Sequence, residues 1–177
     1  MYKYKLTPKF KQLKEEQTSE SQKYQIYCDL DQTLTDFDKQ FEKIGKMPPR
    51  QFEDKYGTPK FWELIDKEGH EFWSKMEWMP NGKQLWDYIK KYNPTILSAP
   101  SKDHTSRYGK KLWVQNNLPG VKLVLAERAK KVNYVGKNHI LIDDYKKTIN
   151  EWVMAGGIGI LFESTQQTIN DLKTLNL

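Results

Sequence analysis

The chain of 177 residues is 37 % hydrophobic and 29 % charged, a composition typical of a globular protein and not of a disordered one. This length suits one domain with a modest insertion and leaves no room for two full domains. A net charge of +6 favours an anionic partner, although acidic residues are interleaved with basic ones along nearly the whole chain.

Apolar runs, the first residues and the number of cysteines indicate in which cellular compartment the protein is expected. The sequence contains no run of about 18 apolar residues, so it predicts no transmembrane helix and no membrane contact. Residues 1–8 lack the apolar segment of a signal peptide. The single cysteine, Cys28, excludes an internal disulfide and is expected to be a buried apolar side chain. Together these features predict a cytoplasmic protein.

Residues 1–23 are polar and rich in lysine, which predicts an extension outside the core that is either disordered or forms one helical turn around residues 10–16. Residues 24–28 combine aromatic and β-branched side chains, as a buried strand does. Asp29 ends this run and Asp31 follows it. Placing two carboxylates at the end of an apolar strand costs free energy unless they share a cation or a proton. The alternative interpretation is that the two residues only begin a turn. Open α/β sheets also bind their ligands at the carboxyl ends of strands.

Residues 38–80 contain many aromatic and few β-branched side chains. Pro48, Pro49, Gly57 and Gly69 divide this segment into short helical pieces. The segment is too long for a simple connection between a strand and a helix, so we expect a small helical insertion over the carboxyl end of the sheet. Most of its aromatic residues are expected to form its own core, and some to face the cleft, where a flat ring can stack on a nucleobase.

From residue 81 onward helical and strand patterns alternate, which predicts a mostly parallel sheet with right-handed crossovers. Residues 24–37 and 81–177 would therefore form a core domain around the 38–80 insertion. The predicted strands after the first are residues 95–98, 121–125, 139–142 and 158–162. Four helices are predicted in the same region. Three are indicated by residues at helical spacing: Leu85, Trp86, Ile89 and Tyr92 in the first, Tyr108, Leu112, Trp113 and Asn116 in the second, and Ile149, Trp152 and Val153 in the third. The fourth begins near Ser164.

Polar residues follow the predicted strands in a recognisable order. They are Asp29 and Asp31 after the first strand, Ser98 after the second, Lys130 and Lys131 before the last acidic strand, and Asp143 and Asp144 after it. In this order, over residues 24–162, the sequence resembles the haloacid dehalogenase (HAD) superfamily of phosphatases and phosphotransferases. Each element has a simpler alternative: Ser98 as a turn residue, the lysines as solvated surface, and the second acidic pair as a helix N-cap.

The resemblance implies a three-layer, Rossmann-like α/β fold with a mostly parallel sheet and a helical cap inserted after the first strand. It implies hydrolysis of a phosphomonoester, in which Asp29 attacks phosphorus to form an aspartyl-phosphate and Asp31 acts as general acid and then as general base. Mg²⁺ is the implied cofactor, and it prefers hard oxygen ligands. The implied ligands are Asp29, the backbone carbonyl of Asp31, and Asp143 or Asp144, while Ser98 and either Lys130 or Lys131 would bind the phosphoryl group.

Within the superfamily the chain is similar to the 5'(3')-deoxyribonucleotidases and related phage-type phosphatases. This similarity rests on residues 29–38, 78–82, 108–118, 128–130 and 140–144. It implies a base pocket lined by Phe37 and by Trp62 or Trp73. It also implies that Arg128 lies beside the phosphate.

The sequence departs from that group at several positions. Gln32-Thr33 stands where Gly-Val is usual, and Ser98-Ala99 stands where a Thr-Ser pair is usual. The cap is shorter. Residues 136–139 add length before the fourth motif, which leaves the choice between the two lysines open.

These observations favour a Mg²⁺-dependent phosphatase acting on a small phosphorylated substrate, in particular a (deoxy)nucleoside monophosphate. The basic net charge leaves a polynucleotide end phosphatase as an alternative, with nucleic acid as the partner. A catalytically silent HAD-like binding module is the alternative from a different class, although no motif position is lost. The histidines His70, His104 and His139 are widely separated and show no metal-ligand spacing.

Overall fold

Five parallel strands form one sheet in the part of the chain that the computed structural model describes, residues 24–177. The strands are β1 Gln25–Cys28, β2 Thr95–Ser98, β3 Leu123–Leu125, β4 His139–Asp143 and β5 Ile158–Leu161. Their order across the sheet is β3-β2-β1-β4-β5. The predicted N-terminal extension, residues 1–23 with its helical turn, lies outside the described residues.

Helices and 3₁₀ segments lie between these strands and after the last of them. Between β1 and β2 lie α1 Phe37–Gly45, α2 Pro49–Tyr56, α3 Thr58–Glu68, α4 His70–Ser74 and α5 Gly82–Ile89, and a 3₁₀ turn Lys90–Tyr92 extends α5. Beyond β2 lie α6 His104–Asn117, a 3₁₀ segment Arg128–Tyr134, α7 Lys146–Met154 and α8 Thr165–Thr174. No helix among the described residues is both long enough and apolar enough to cross a membrane.

The alternation of side chains along β1 produces two separate apolar layers. Ile26 and Cys28 face the larger core, and Cys28 is fully buried as predicted. Tyr27 faces the other side, where its ring meets Trp152 of α7 edge-on at 5.5 Å. Because helices cover both faces of a parallel sheet, the prediction of a three-layer α/β fold is confirmed.

The position of β1 also locates a crevice. β1 pairs with β2 on one side and with β4 on the other, so the chain leaves β1 in one direction and later returns on its opposite side. Such a reversal opens a gap at the carboxyl ends of the two central strands, where α/β proteins bind ligands. Asp29 and Asp143 lie at these strand ends.

The helices α1 to α4 have an aromatic core of their own. The Phe41 ring stacks on Phe61 at 4.5 Å and meets Phe52 edge-on at 5.2 Å. Gly57 and Gly69 separate the successive helices at φ values of 83° and 62°, which glycine adopts without steric cost. These contacts make the segment a compact unit and not an extended loop.

This helical segment is attached to α6. A Cβ atom on Gly109 would lie 2.4 Å from the backbone carbonyl oxygen of His70, so only glycine permits this separation of α4 and α6. Nearby, the Trp113 indole N–H donates to the carbonyl oxygen of Met76 at 2.8 Å. The contacts hold the insertion above the carboxyl edge of the sheet.

The predicted apolar stripe of α6 is only partly right, because Trp113 is buried and Leu112 half-buried while Tyr108 and Asn116 are exposed. The helix buries Ser106, Gly109, Lys110, Trp113 and Val114. Tyr108, which was expected inside, is 54 % exposed. The buried face combines small and polar residues because it must meet α4 closely and carry a lysine into the crevice, and an apolar pattern does not detect such a face.

Candidate active site

The first acidic pair stands at the end of β1. The backbone N–H of Asp29 donates to the carbonyl oxygen of Ile142 in β4 at 2.8 Å, which continues the pairing of the two central strands by one residue. This bond brings Asp29 beside Asp143, the last residue of β4. One carboxylate oxygen from each of Asp29, Asp143 and Asp144 lies within 4.8 Å of the others. The two acidic pairs of the sequence therefore converge on one crevice.

Lys131 lies between two of these carboxylates. Its Nζ atom is 3.0 Å from Asp29 Oδ2 and 2.7 Å from Asp143 Oδ2, and its side chain is almost completely buried. Burial lowers the pKa of this ammonium group, but the carboxylates of Asp29 and Asp143 more than offset that effect and raise the pKa. Lys131 therefore remains charged across the physiological pH range.

Lys130 points elsewhere. It is exposed and pairs with Glu127 on the surface at 3.0 Å. Both lysines belong to the same 3₁₀ segment, in which consecutive side chains diverge by about a third of a turn. The structure therefore brings Lys131 into the carboxylate cluster and leaves Lys130 outside it.

A second buried lysine, Lys110 of α6, was not predicted from the sequence. Its ammonium group pairs with the Asp31 carboxylate and donates to Ser98 Oγ at 3.0 Å. The Trp73 ring covers it, with the Nζ atom 4.9 Å from the ring centroid. The available signal was positional: Lys110 lies three residues before the core residue Trp113, so it occupies the inward face of an amphipathic helix.

Asp31 lies in a tight turn after β1. Burial raises its pKa, the Lys110 ammonium opposes this effect, and Asp29 adds to it. The next residue, Gln32, has a φ of 52°, in the left-handed region that glycine occupies most easily. Gln32 therefore holds, at some backbone cost, a conformation that favours glycine, the residue that the resemblance stated above leads one to expect at this position.

The charges of the crevice do not balance among the described residues. The carboxylates are Asp29, Asp31, Asp143 and Asp144, and the ammonium groups are Lys110 and Lys131. Two negative charges therefore lack a counterion when every group is ionised. In addition, Asp29 Oδ1 and Asp31 Oδ1 are buried without a hydrogen-bond partner. Unpaired hard oxygens with two excess negative charges fit a divalent cation such as Mg²⁺.

The pKa values of the second acidic pair, Asp143 and Asp144, are raised in this environment. Burial, followed by the charge of Asp29, raises the pKa of Asp143 to about 6 despite Lys131. Asp144 is exposed as a residue, but it lies on the wall of a pocket, where loss of water and the charges of Asp29 and Asp143 raise its pKa to about 7. A proton on either group would replace part of the missing positive charge.

A pocket of about 1100 Å³ opens between the helical insertion and the crevice. Phe37, Trp62 and Trp73 line it, and Trp62 is 37 % exposed while Trp73 is 2 % exposed. All three aromatic residues that the sequence suggested for a base pocket are therefore on its wall. Glu53, Asp66, Lys102 and Asp103 also line the pocket, so most of its charged side chains are acidic.

Arg128 is not among the residues that line this pocket. Its guanidinium donates to Glu151 Oε2 at 2.7 Å and lies 5.8 Å from the centroid of the Tyr145 ring. Tyr145 does line the pocket. Arg128 thus contacts a residue of the pocket wall, and it forms no ion pair with the four carboxylates of the crevice.

Neither a model of a known protein family nor a curated protein sequence matches the chain. Solved structures do. A HAD-superfamily hydrolase from Ehrlichia chaffeensis is 13 % identical, with a TM-score of 0.56 over 86 % of this chain and 97 % of that one. A haloacid dehalogenase-like hydrolase from Xanthomonas campestris is 10 % identical, with a TM-score of 0.56 over 88 % and 93 %. A predicted phosphatase from Clostridium acetobutylicum is 15 % identical, with a TM-score of 0.53 over 87 % and 99 %.

These similarities establish the fold. The chain has the α/β fold of HAD-superfamily hydrolases, as the order of its motifs predicted. At such low identities the fold does not decide the reaction or the substrate, which must be argued from the residues of the site.

The two neighbouring lysines provide a matched test of the cluster. Lys131→Met should lower the free energy of unfolding by about 3–5 kcal/mol at pH 8 in EDTA, because it leaves two buried carboxylates without their shared cation. Lys130→Met removes an exposed ion pair and should cost at most about 1 kcal/mol. Urea denaturation followed by circular dichroism measures both values. Equal losses in the two variants would show that Lys131 is not the buried counterion.

Metal binding should depend on pH. Because the folded pKa values of Asp143 and Asp144 are about 6 and about 7, above the usual carboxyl value, both groups bind protons in the folded state and destabilise it as the pH rises towards 7. Mg²⁺ must displace these protons, so its stabilising effect should be larger at pH 8 than at pH 5.5. At 100 times its dissociation constant the ion contributes about 2.7 kcal/mol.

The measurement is the difference between melting temperatures in MgCl₂ and in EDTA with matched ionic strength, at each pH. Taking this difference removes the pH dependence of all groups that do not contact the ion. A Mg²⁺ effect that is constant from pH 5.5 to 8 would contradict binding by this acidic pair.

Proposed function

We propose that the protein is a Mg²⁺-dependent phosphomonoesterase that works through an aspartyl-phosphate and acts on a nucleoside monophosphate. One observation carries the reaction type: Asp31 pairs with Lys110, and Asp29 pairs with Lys131, at the carboxyl edge of a parallel sheet. A phosphate monoester is anionic and repels a nucleophile, so a site that hydrolyses it must supply positive charge beside the attacking group. The two buried lysines supply part of this charge, and the proposed Mg²⁺ would supply the rest.

In the first step, a carboxylate oxygen of Asp29 forms a bond to phosphorus while the bond from phosphorus to the leaving oxygen breaks. Asp31 donates its proton to the leaving oxygen, so the product departs as a neutral alcohol. The raised pKa of Asp31, of which burial is the main cause, supports a proton on this group before the reaction.

In the second step, water attacks the phosphorus atom of the aspartyl-phosphate. Asp31, now a carboxylate, takes the proton from this water, and the bond between phosphorus and the Asp29 oxygen breaks. Inorganic phosphate leaves, Asp29 is restored and Asp31 is again protonated. Lys110, paired with Asp31, stabilises the carboxylate form between the two steps.

The same lysines and Ser98 would bind the transferring phosphoryl group. Because the Ser98 oxygen accepts a hydrogen bond from Lys110, its own hydrogen can donate to a phosphoryl oxygen. Mg²⁺ would be held by Asp29, the backbone carbonyl of Asp31, and the second acidic pair, and when bound it would supply positive charge that offsets the repulsion between phosphate and carboxylates. The proposed charge balance explains why these acids share one crevice.

The nucleotide part of the proposal depends on the pocket wall. Phe37 and Trp62 offer aromatic rings for a base, and the exposed ring of Trp62 is available for stacking. Glu53 and Asp66, which also line the pocket, supply acceptors for the N–H groups of a base. Asp31 and Asp144 line the same pocket, so a base on its aromatic wall can place the attached phosphate beside the acidic crevice.

Phosphate release tests the reaction. With Mg²⁺ we expect turnover of nucleoside 5'- or 3'-monophosphates, and Asp29→Asn should reduce it by at least about 10³-fold because the nucleophile is lost. EDTA should abolish it. The panel also contains sugar phosphates and phosphorylated oligonucleotides.

Each outcome of this panel has a distinct meaning. Release only from sugar phosphates would retain the mechanism and refute the nucleotide pocket. Unchanged activity in Asp29→Asn would refute the aspartyl-phosphate. No release from any compound of the panel would favour a silent binding module on this fold.

The role of Trp62 can be separated from the chemistry. Trp62→Ala should raise KM for a nucleotide by roughly fivefold or more with little change in kcat, because base stacking on an aromatic ring contributes about 1–3 kcal/mol. Trp62→Phe keeps a ring and serves as the matched control. Ribose 5-phosphate, which lacks a base, should show no change in KM. An equal change for both substrates would contradict stacking on this residue.

A further inference from the structure

A second cleft, of about 480 Å³, lies between α6 and the edge strand β3. Its walls are His104, Arg107, Tyr108 and Lys111 of the helix and Leu123 and Leu125 of the strand. None of these residues has a part in the reaction proposed above. Their side chains combine positive charge, an aromatic ring and an apolar surface.

The helical side of the cleft is one continuous stripe. Positions 104, 107, 108 and 111 are separated by three or four residues, so they share one face of α6. The buried residues Lys110 and Trp113 occupy the opposite face. Arg107 and Lys111 are exposed, and Tyr108 is 54 % exposed. This stripe is therefore available to a partner, while the other face of the helix serves the interior.

The charge of this stripe is not neutralised within residues 24–177. Elsewhere on the surface of this part of the chain some lysines are unpaired, such as Lys146 and Lys147, and six are paired with carboxylates, namely Lys39, Lys43, Lys60, Lys75, Lys90 and Lys130. Arg107 and Lys111 form no ion pair with any described residue. Neighbouring cations without counterions attract a polyanion, which gains free energy by releasing its own counterions.

The aromatic and apolar parts of the cleft restrict the kind of polyanion. The Tyr108 ring meets the His70 ring edge-to-face, with ring centroids 5.2 Å apart. Leu123 and Leu125 are half-buried and lie on the same face of β3. A flat ring beside cations is the combination with which proteins bind single-stranded nucleic acid, because the ring stacks on a base and the cations contact phosphates. An acidic peptide would use the charges alone.

We propose that the cleft between α6 and β3 binds single-stranded nucleic acid, with Arg107 and Lys111 on phosphates and Tyr108 stacked on a base. The loop of residues 99–103 lines the active-site pocket and leads directly into α6, and no residue lines both the pocket and the cleft. Binding of the strand is therefore separate from hydrolysis and does not depend on the proposed function.

Fluorescence anisotropy with labelled oligothymidine and oligouridine, at a series of KCl concentrations, tests the proposal. The double substitution Arg107→Ala/Lys111→Ala should weaken binding at low salt by at least about tenfold. It should also reduce the slope of log Kd against log salt by about 1.4, because each phosphate contact contributes about 0.7. Tyr108→Ala should weaken binding by roughly fivefold or more and leave the slope unchanged.

The matched control is Lys60→Ala/Lys90→Ala, which removes the same net charge from lysines that already have partners. It should leave both Kd and slope unchanged, and thermal melting should show that all variants are folded. An equal loss in the control would overturn the proposal, since general charge would then explain binding. Two other results would also overturn the proposal. One is that the unmodified protein does not bind the oligonucleotides, and the other is that polyglutamate displaces a labelled oligonucleotide as well as an unlabelled oligonucleotide does.

Discussion

The crevice at the carboxyl ends of β1 and β4 concentrates more negative charge than its residues neutralise, and much of the structure serves to compensate it. Lys131 reaches Asp29 and Asp143 from a 3₁₀ segment that follows β3, and Lys110 reaches Asp31 from α6. Burying one of these carboxylates without a partner would cost several kcal/mol. The ion pairs with these carboxylates therefore help to fix the positions of the 3₁₀ segment and of α6 relative to the central strands.

The helical insertion depends on the same constraint. Trp73 covers the ammonium group of Lys110, and Gly109, the adjacent residue, allows α4 to approach α6 within a distance that no side chain would permit. The insertion thus shields the lysine from water and also forms the aromatic wall of the pocket. One helix, α6, carries Lys110 into the crevice on its buried face and the basic stripe of Arg107 and Lys111 on its exposed face. The proposed hydrolysis and the proposed nucleic-acid binding are separated by this geometry.

Much of the architecture was predictable because it depends on local pattern. β2 has the predicted bounds, and β4 includes one further residue, Asp143. Ser164 caps the last helix by accepting from the Gln167 N–H, close to where the helix was expected to begin. Periodic apolar residues and turn residues carry this information. The stripe of α6 was predicted only in part because its inward face carries glycine, serine and lysine, so its phase depends on packing against α4 and on the charge of the crevice.

The sequence by itself determined the sheet, the order of its strands along the chain and the presence of Asp29, Ser98 and the second acidic pair at strand ends, since these follow from hydrophobic runs and the polar residues that end them. Only the tertiary structure showed that Lys131, and not Lys130, lies among the carboxylates, and revealed Lys110. Adjacent positions on a 3₁₀ segment point in different directions, and a buried lysine is recognisable only when its counterions come from distant parts of the chain. Both choices depend on electrostatic partners that folding brings together, and that no local pattern encodes.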